Sequence, residues 1–225
     1  MTKEHPQWFQ SWFDTPYYHI LYKNRDYKEA EVFIKNIVTY LNLDKDDSIL
    51  DLACGKGRHS IFLNSLGYKV TGLDLSKNSI EYAKKYESNS LSFEVHDMRN
   101  TYKTQFEVVL NLFTSFGYFE DDDDNYKVIK TIKSSLKQNG IGVIDYMNSP
   151  VVIDNLIDHN TFEADGVRFE LKRNYENGFI TKHIEVKDAE KSFVYSLNSS
   201  NYYWKKYTPN KLKIKRKIKR KLRIS

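Results

Sequence analysis

The chain's architecture turns on Asp51-Leu52-Ala53-Cys54-Gly55-Lys56-Gly57-Arg58-His59-Ser60. This stretch closes an apolar run, SILDLA at 48–53, and opens an amphipathic one, RHSIFLNSL at 58–66, which Gly67 stops. The first run reads as a buried strand and the second as a helix. Between them, Gly55 and Gly57 let the backbone turn sharply and let a ligand approach where a Cβ would clash.

The same alternation continues outward. YKVTGLD (68–74) is a second strand, Ser76 caps a helix to about Tyr86, and LSFEVHD (91–97) is a third strand. FEVVLNLF (106–113) is a fourth strand. A helix over 123–137 ends at Asn139–Gly140, and IGVIDYM then makes a fifth strand. Upstream, Asp26 and Glu29 form a capping box before a helix whose Ala30, Phe33, Ile34, Ile37, Val38 and Leu41 share a face. Strands alternating with helices imply a parallel sheet covered on both faces, and right-handed crossovers make it a Rossmann-like doubly wound α/β domain. After residue 150 the pattern changes. VRFELKR (167–173) and FITKHIEV (179–186) alternate by two around Asn177–Gly178, which predicts an antiparallel hairpin insertion. The expected divisions are an aromatic cap and helix at 1–47, a ligand-binding core at 48–150, the hairpin at 151–195 and a basic tail at 196–225.

Composition narrows the class. At 225 residues, 40% hydrophobic and 29% charged, the chain is globular rather than disordered or fibrous. One cysteine, Cys54, forbids an internal disulfide, and the six histidines show no metal-ligand spacing. No run approaches the ~20 apolar residues of a membrane span, and MTKEHPQWFQSWFDTPYY has no continuous apolar core of a signal peptide. These features predict a cytoplasmic protein with no metal and no membrane partner. The net charge of +5 is misleading: residues 210–225 hold nine Lys and Arg, and without them it falls to −4. Nucleic acid is therefore not an expected partner of the body.

Three acids accompany the glycine loop. Asp51 precedes it, Asp74 ends the second strand nineteen residues after Gly55, and Asp97 ends the third. The carboxyl ends of such strands line one rim at the topological switch point, and a carboxylate there suits a ribose diol. A dinucleotide fingerprint wants a third glycine where this chain has Ser60. An acid beside the loop repels pyrophosphate but tolerates an amine or a sulfonium. LDLACGKGRHS, GLDLS, HDMR and NLFTSFGYF, in order across about residues 8–195, resemble the class I S-adenosylmethionine-dependent methyltransferases of the bacterial small-molecule type. That resemblance implies strand order 3-2-1-4-5, S-adenosylmethionine as cofactor and a small-molecule methyl acceptor as partner. It implies that Asp51, Ala53, Gly55, Gly57, Asp74, Leu75, Asp97, Met98, Asn111, Leu112 and Phe113 form the cofactor site. Asp74 would hold the ribose, Leu75 would pack on the adenine, Asp97 would meet the adenine amino group, and Gly55 would flank the methionine part. Tyr17, Tyr18, Tyr22 and Arg25 become lid or substrate residues, with Thr114, Ser115 and Tyr118 nearest the transferred methyl.

Other residues read more plainly. Arg58 and His59, in a first helical turn, read as solvent or local hydrogen-bonding groups and Cys54 as a small packed residue. Asp121–Asp124 reads as a charge run favourable to a helix dipole. Asn111 lacks the Pro-Pro-aromatic sequence of amino-directed nucleic-acid methyltransferases. From Ser196 onward no apolar strand of the kind expected in the family is visible. The family's final two strands are thus expected to be missing, leaving a disordered tail, an exposed edge at the fifth strand, and weak or absent activity.

Overall fold

A computed structural model describes residues 12–23, 27–117, 119 and 121–200. The expectations placed on the first eleven residues of the cap, on Arg25, Asp26 and Tyr118, and on the tail over 201–225 lie outside the described residues. Helix α1 is Pro16–Leu21 and α2 is Tyr27–Leu41. The core then runs β1 (Ser48–Leu52), α3 (Arg58–Ser65), β2 (Lys69–Asp74), α4 (Lys77–Ala83), β3 (Leu91–Val95), β4 (Phe106–Asn111), α5 (Asp122–Ser134) and β5 (Leu136–Ile144). The five strands are parallel, in the order β3-β2-β1-β4-β5. Alternation along β1 sends Ile49 to one core and Leu50 and Leu52 to another. Ile34, Ile37, Leu63 and Ile80 of α2, α3 and α4 fill the first core, and Val128 and Ile132 of α5 fill the second. The sheet is therefore covered on both faces, as the alternation predicts.

Two elements differ from expectation. The helix expected over 123–137 ends at Ser134, and the last strand begins at Leu136 rather than at IGVIDYM. Leu136 pairs with Phe106, and the register then jumps to Ile141 opposite Val108, so Lys137–Gly140 is a bulge inside one strand. The polar KQNG stretch reads as a terminator because a bulge carries turn residues. Among the described residues β5 is an edge of this sheet, and its Ile141, Val143 and Ile144 are half-buried.

The hairpin insertion is in fact a four-stranded antiparallel sheet. After α6 (Ser149–Asp154) come β6 (His159–Ala164), β7 (Val167–Glu176), β8 (Phe179–Asp188) and β9 (Lys191–Ser200), adjacent in that order. The expected turn is present: Asn177 and Gly178 both take positive φ, +51° and +84°. The tail boundary at 195 is wrong, because β9 continues to Ser200, which pairs with Phe179. β9 looks too polar for a strand because only one face is covered, by Phe193, Tyr195 and Leu197 at every second residue.

The N-terminal segment joins the two sheets. Trp12, 1% exposed, sits in the core of the antiparallel sheet with Phe169, Leu171, Ile184 and Val186. Tyr17 donates to Asp188 at 3.0 Å, and Lys23 pairs with Asp165 at 2.6 Å. On the other side, Asp14 accepts from Ser76 and from Asn78 at the start of α4, both at 2.6 Å.

Candidate active site

Between the carboxyl rim of the parallel sheet and the inner face of the antiparallel one lies a cavity of about 820 Å³. Its floor is built from strand ends under local strain. Ala53 follows β1 at φ +65°, and Phe113 and Thr114 follow β4 at +57° and +55°. Three non-glycine residues in the left-handed region at one rim mark a backbone held in place by its surroundings.

Gly57, at φ +79°, ends the loop against Phe93, whose Cε1 would stand 2.6 Å from an added Cβ. Gly55, at +56°, would place a Cβ in open space. One glycine thus allows close packing, while the other keeps the cavity open.

Asp74 is fixed at the end of β2. Its Oδ2 accepts from the Gly55 amide at 2.7 Å and its Oδ1 from the Ser76 amide at 2.8 Å. A carboxylate has about four acceptor positions, so both oxygens keep capacity for another donor. Burial holds its carboxyl above the usual value, and the Ser76 and Gly55 amides offset only part of that rise. Asp97 also lines the cavity, but Arg99 engages both its oxygens: Nη2 reaches Oδ2 at 2.6 Å and Nε reaches Oδ1 at 3.1 Å. Arg99 extends to Asp124 at the start of α5. The acidic run therefore does more than complement a dipole, because it ties α5 to the end of β3. Burial alone would raise the Asp97 carboxyl, but the hydrogen bonds from Arg99 hold it below its usual value.

Of the expected site residues, Ala53, Gly55, Asp74, Leu75, Asp97, Met98, Leu112, Phe113, Thr114, Ser115, Tyr18 and Tyr22 line the cavity. Four others lie behind the wall. Asp51, 1% exposed, accepts from Ser60 Oγ at 2.6 Å. Asn111 donates to the Leu52 carbonyl at 2.9 Å, Gly57 packs on Phe93, and Tyr17 points to Asp188. Ser60 departs from the dinucleotide pattern because its hydroxyl is spent on Asp51.

His59 was misread from sequence. It is 5% exposed, lies 4.8 Å from the Phe113 ring and lines the cavity, and its Nε2 has no hydrogen-bond partner among the described residues. Burial, with the Arg58 charge second, pushes its pKa down to about 3, so the ring is neutral. Arg58 stacks on Phe113 as well, its guanidinium carbon 4.0 Å from the ring centroid. The missed signal was the first turn of a helix that starts inside the rim. Arg173, Ile180, Lys182 and Leu197 also line the cavity and had no sequence signal, because they reach it across the chain.

A family model for the methyltransferase domain matches residues 43–193, which take in both sheets up to the start of β9. The chain belongs to the methyltransferase-domain family. Its class I architecture is that of the S-adenosylmethionine-dependent members. YqeM of Bacillus subtilis is 35% identical over 112 residues, which cover 48% of this chain and 45% of that protein. The chain spans about half the length of the curated relatives it matches. An S-adenosylmethionine-dependent methyltransferase from Clostridium acetobutylicum shares the fold at TM-score 0.68 and 24% identity, covering 84% of this chain and 80% of its own. So does CalS10 of Micromonospora echinaspora, an amino pentose methyltransferase, at TM-score 0.66 and 18% identity, covering 86% and 85%. Among the described residues no helix is long and apolar enough to cross a membrane, and no His/Cys/Asp/Glu group could hold a metal.

Proposed function

We propose that this methyltransferase-domain chain binds S-adenosylmethionine along the carboxyl rim of the parallel sheet and methylates a small molecule beneath the antiparallel sheet. The observation that carries this reading is Asp74. Two amides orient its carboxylate beside Gly55, and the spare acceptor capacity suits the two hydroxyls of a ribose. Leu75 and Met98 offer apolar surface for the adenine, and open space at Gly55 suits the methionine end. Asp97 fits its expected role less well, since the adenine amino group would compete with Arg99. At about 820 Å³ the cavity is near the top of the range for a single ligand, with room for an acceptor.

The cofactor supplies the activated methyl, and the chain's work is orientation and exclusion of water. Tyr18, Tyr22, Thr114 and Ser115 stand where the acceptor would be positioned. His59, held neutral, can accept a hydrogen bond from it but is too weak a base to carry a proton away. A second reading, cofactor binding with little turnover, draws on the half-covered edge at β5. Release of S-adenosylhomocysteine from S-adenosylmethionine, measured with fractionated small-molecule pools, decides between them. Acceptor-dependent release supports the methyltransferase, and tight cofactor binding without release supports the second reading.

A further inference from the structure

One wall of the cavity is the inner face of the antiparallel sheet, and that face is nearly all apolar. Its cross-strand rows read Phe169–Val186–Phe193 and Leu171–Ile184–Tyr195. The next row, at the cavity, is Arg173–Lys182–Leu197. Two cations therefore stand directly opposite each other on adjacent strands, an arrangement that destabilises a sheet. Neither has a carboxylate within 4.0 Å among the described residues. Arg173 Nη1 donates to the Ile157 carbonyl at 3.0 Å and Asn160 Oδ1 at 2.7 Å, and Lys182 Nζ donates to the Tyr22 hydroxyl at 2.9 Å. Of the other cations lining the cavity, Lys23 has Asp165 and Arg58 has Glu29, while Lys56 lies over the Tyr82 ring on the opposite rim. The cavity's own acids are engaged too, Asp74 by amides and Asp97 by Arg99.

We propose that the methyl acceptor carries an oxyanion, a carboxylate or a phosphate, held between Arg173 and Lys182. Such a group would relieve the like-charge pair, and a guanidinium beside an ammonium presents forked and single donors to one anion. The apolar rows beside the pair would take the uncharged part of a small acid. This assignment rests on the methyltransferase reading above, because it takes the cavity to be the transfer site.

The test uses the full chain saturated with S-adenosylhomocysteine and titrated separately with acetate and inorganic phosphate by calorimetry. At least one anion should bind saturably, and which one binds identifies the acceptor's group. Arg173→Gln and Lys182→Gln should each weaken that binding about tenfold, as loss of a charge-assisted bond implies. Their affinity for S-adenosylhomocysteine should be unchanged. Failure of both anions to bind, or equal binding by the variants, overturns the proposal. Loss of S-adenosylhomocysteine affinity in the variants overturns it differently, assigning the pair to the cofactor's carboxylate. If the unmodified chain binds no S-adenosylhomocysteine, the methyltransferase reading itself falls and takes this assignment with it.

Discussion

Asp51 shows how far a single residue can be read from sequence. Its position at a strand end beside the glycine loop points to a ligand contact, but its side chain packs against Ser60 behind that loop. Asp74, with the same kind of signal, does face the cavity. The difference is side-chain direction, set by local backbone geometry that spacing does not encode. Burial pushes the Asp51 pKa from 3.8 up to about 6. Between those values the folded protein keeps a proton that the unfolded chain has lost. This group's stabilisation is therefore full below 3.8, falls as pH rises, and is gone above about 6. His59 acts oppositely: its pKa drops from 6.5 to about 3, so its contribution is full above 6.5 and is lost as pH falls. The difference between Asp51→Asn and the unmodified chain isolates Asp51, because Asn keeps an acceptor for Ser60. The variant's relative melting temperature should climb across that pH window and level off above it. The effect at neutral pH is on the order of 3 kcal/mol. Parallel melting curves across the window would show that Asp51 is not buried as described.

At the scale of elements, the strand–loop–helix unit β1–α3 was the most legible part of the chain, because hydrophobic period and turn glycines agree there. β6 and β9 were not legible, because edge strands with one wet face carry too little apolar signal. The loop's two glycines make separable predictions. Gly57→Ala combines a left-handed backbone with a Cβ 2.6 Å from Phe93, and should cost about 2–4 kcal/mol in urea unfolding. Gly55→Ala meets no neighbour within 4 Å, so it should cost only about 1–2 kcal/mol of backbone strain. Its Cβ enters the cavity, however, and should weaken S-adenosylhomocysteine binding about tenfold. Equal destabilisation by the two substitutions would contradict these separate roles.

Across the whole molecule, the aromatic N-terminal segment is both roof and core. Its spacing announces a lid, but sequence could not show that Trp12 fills the core of a sheet more than 140 residues away. A lid alone could be removed at little cost to the fold, and this segment could not. Trp12→Ala should cost about 3–5 kcal/mol. Amide exchange should locate that loss in β6–β9, with protection in β1–β4 retained. Unchanged exchange in the antiparallel sheet would mean that the segment covers the cavity without supporting the sheet. If Asp74 and the rim around it hold the ribose of S-adenosylmethionine as proposed, calorimetric titration with S-adenosylhomocysteine will register it. The unmodified chain should bind, and Asp74→Ala should bind at least about tenfold more weakly, a loss of ~1.4 kcal/mol. Each charge-assisted ribose bond supplies about 1.5–3 kcal/mol. Binding of undiminished affinity by a folded Asp74→Ala would contradict the claim.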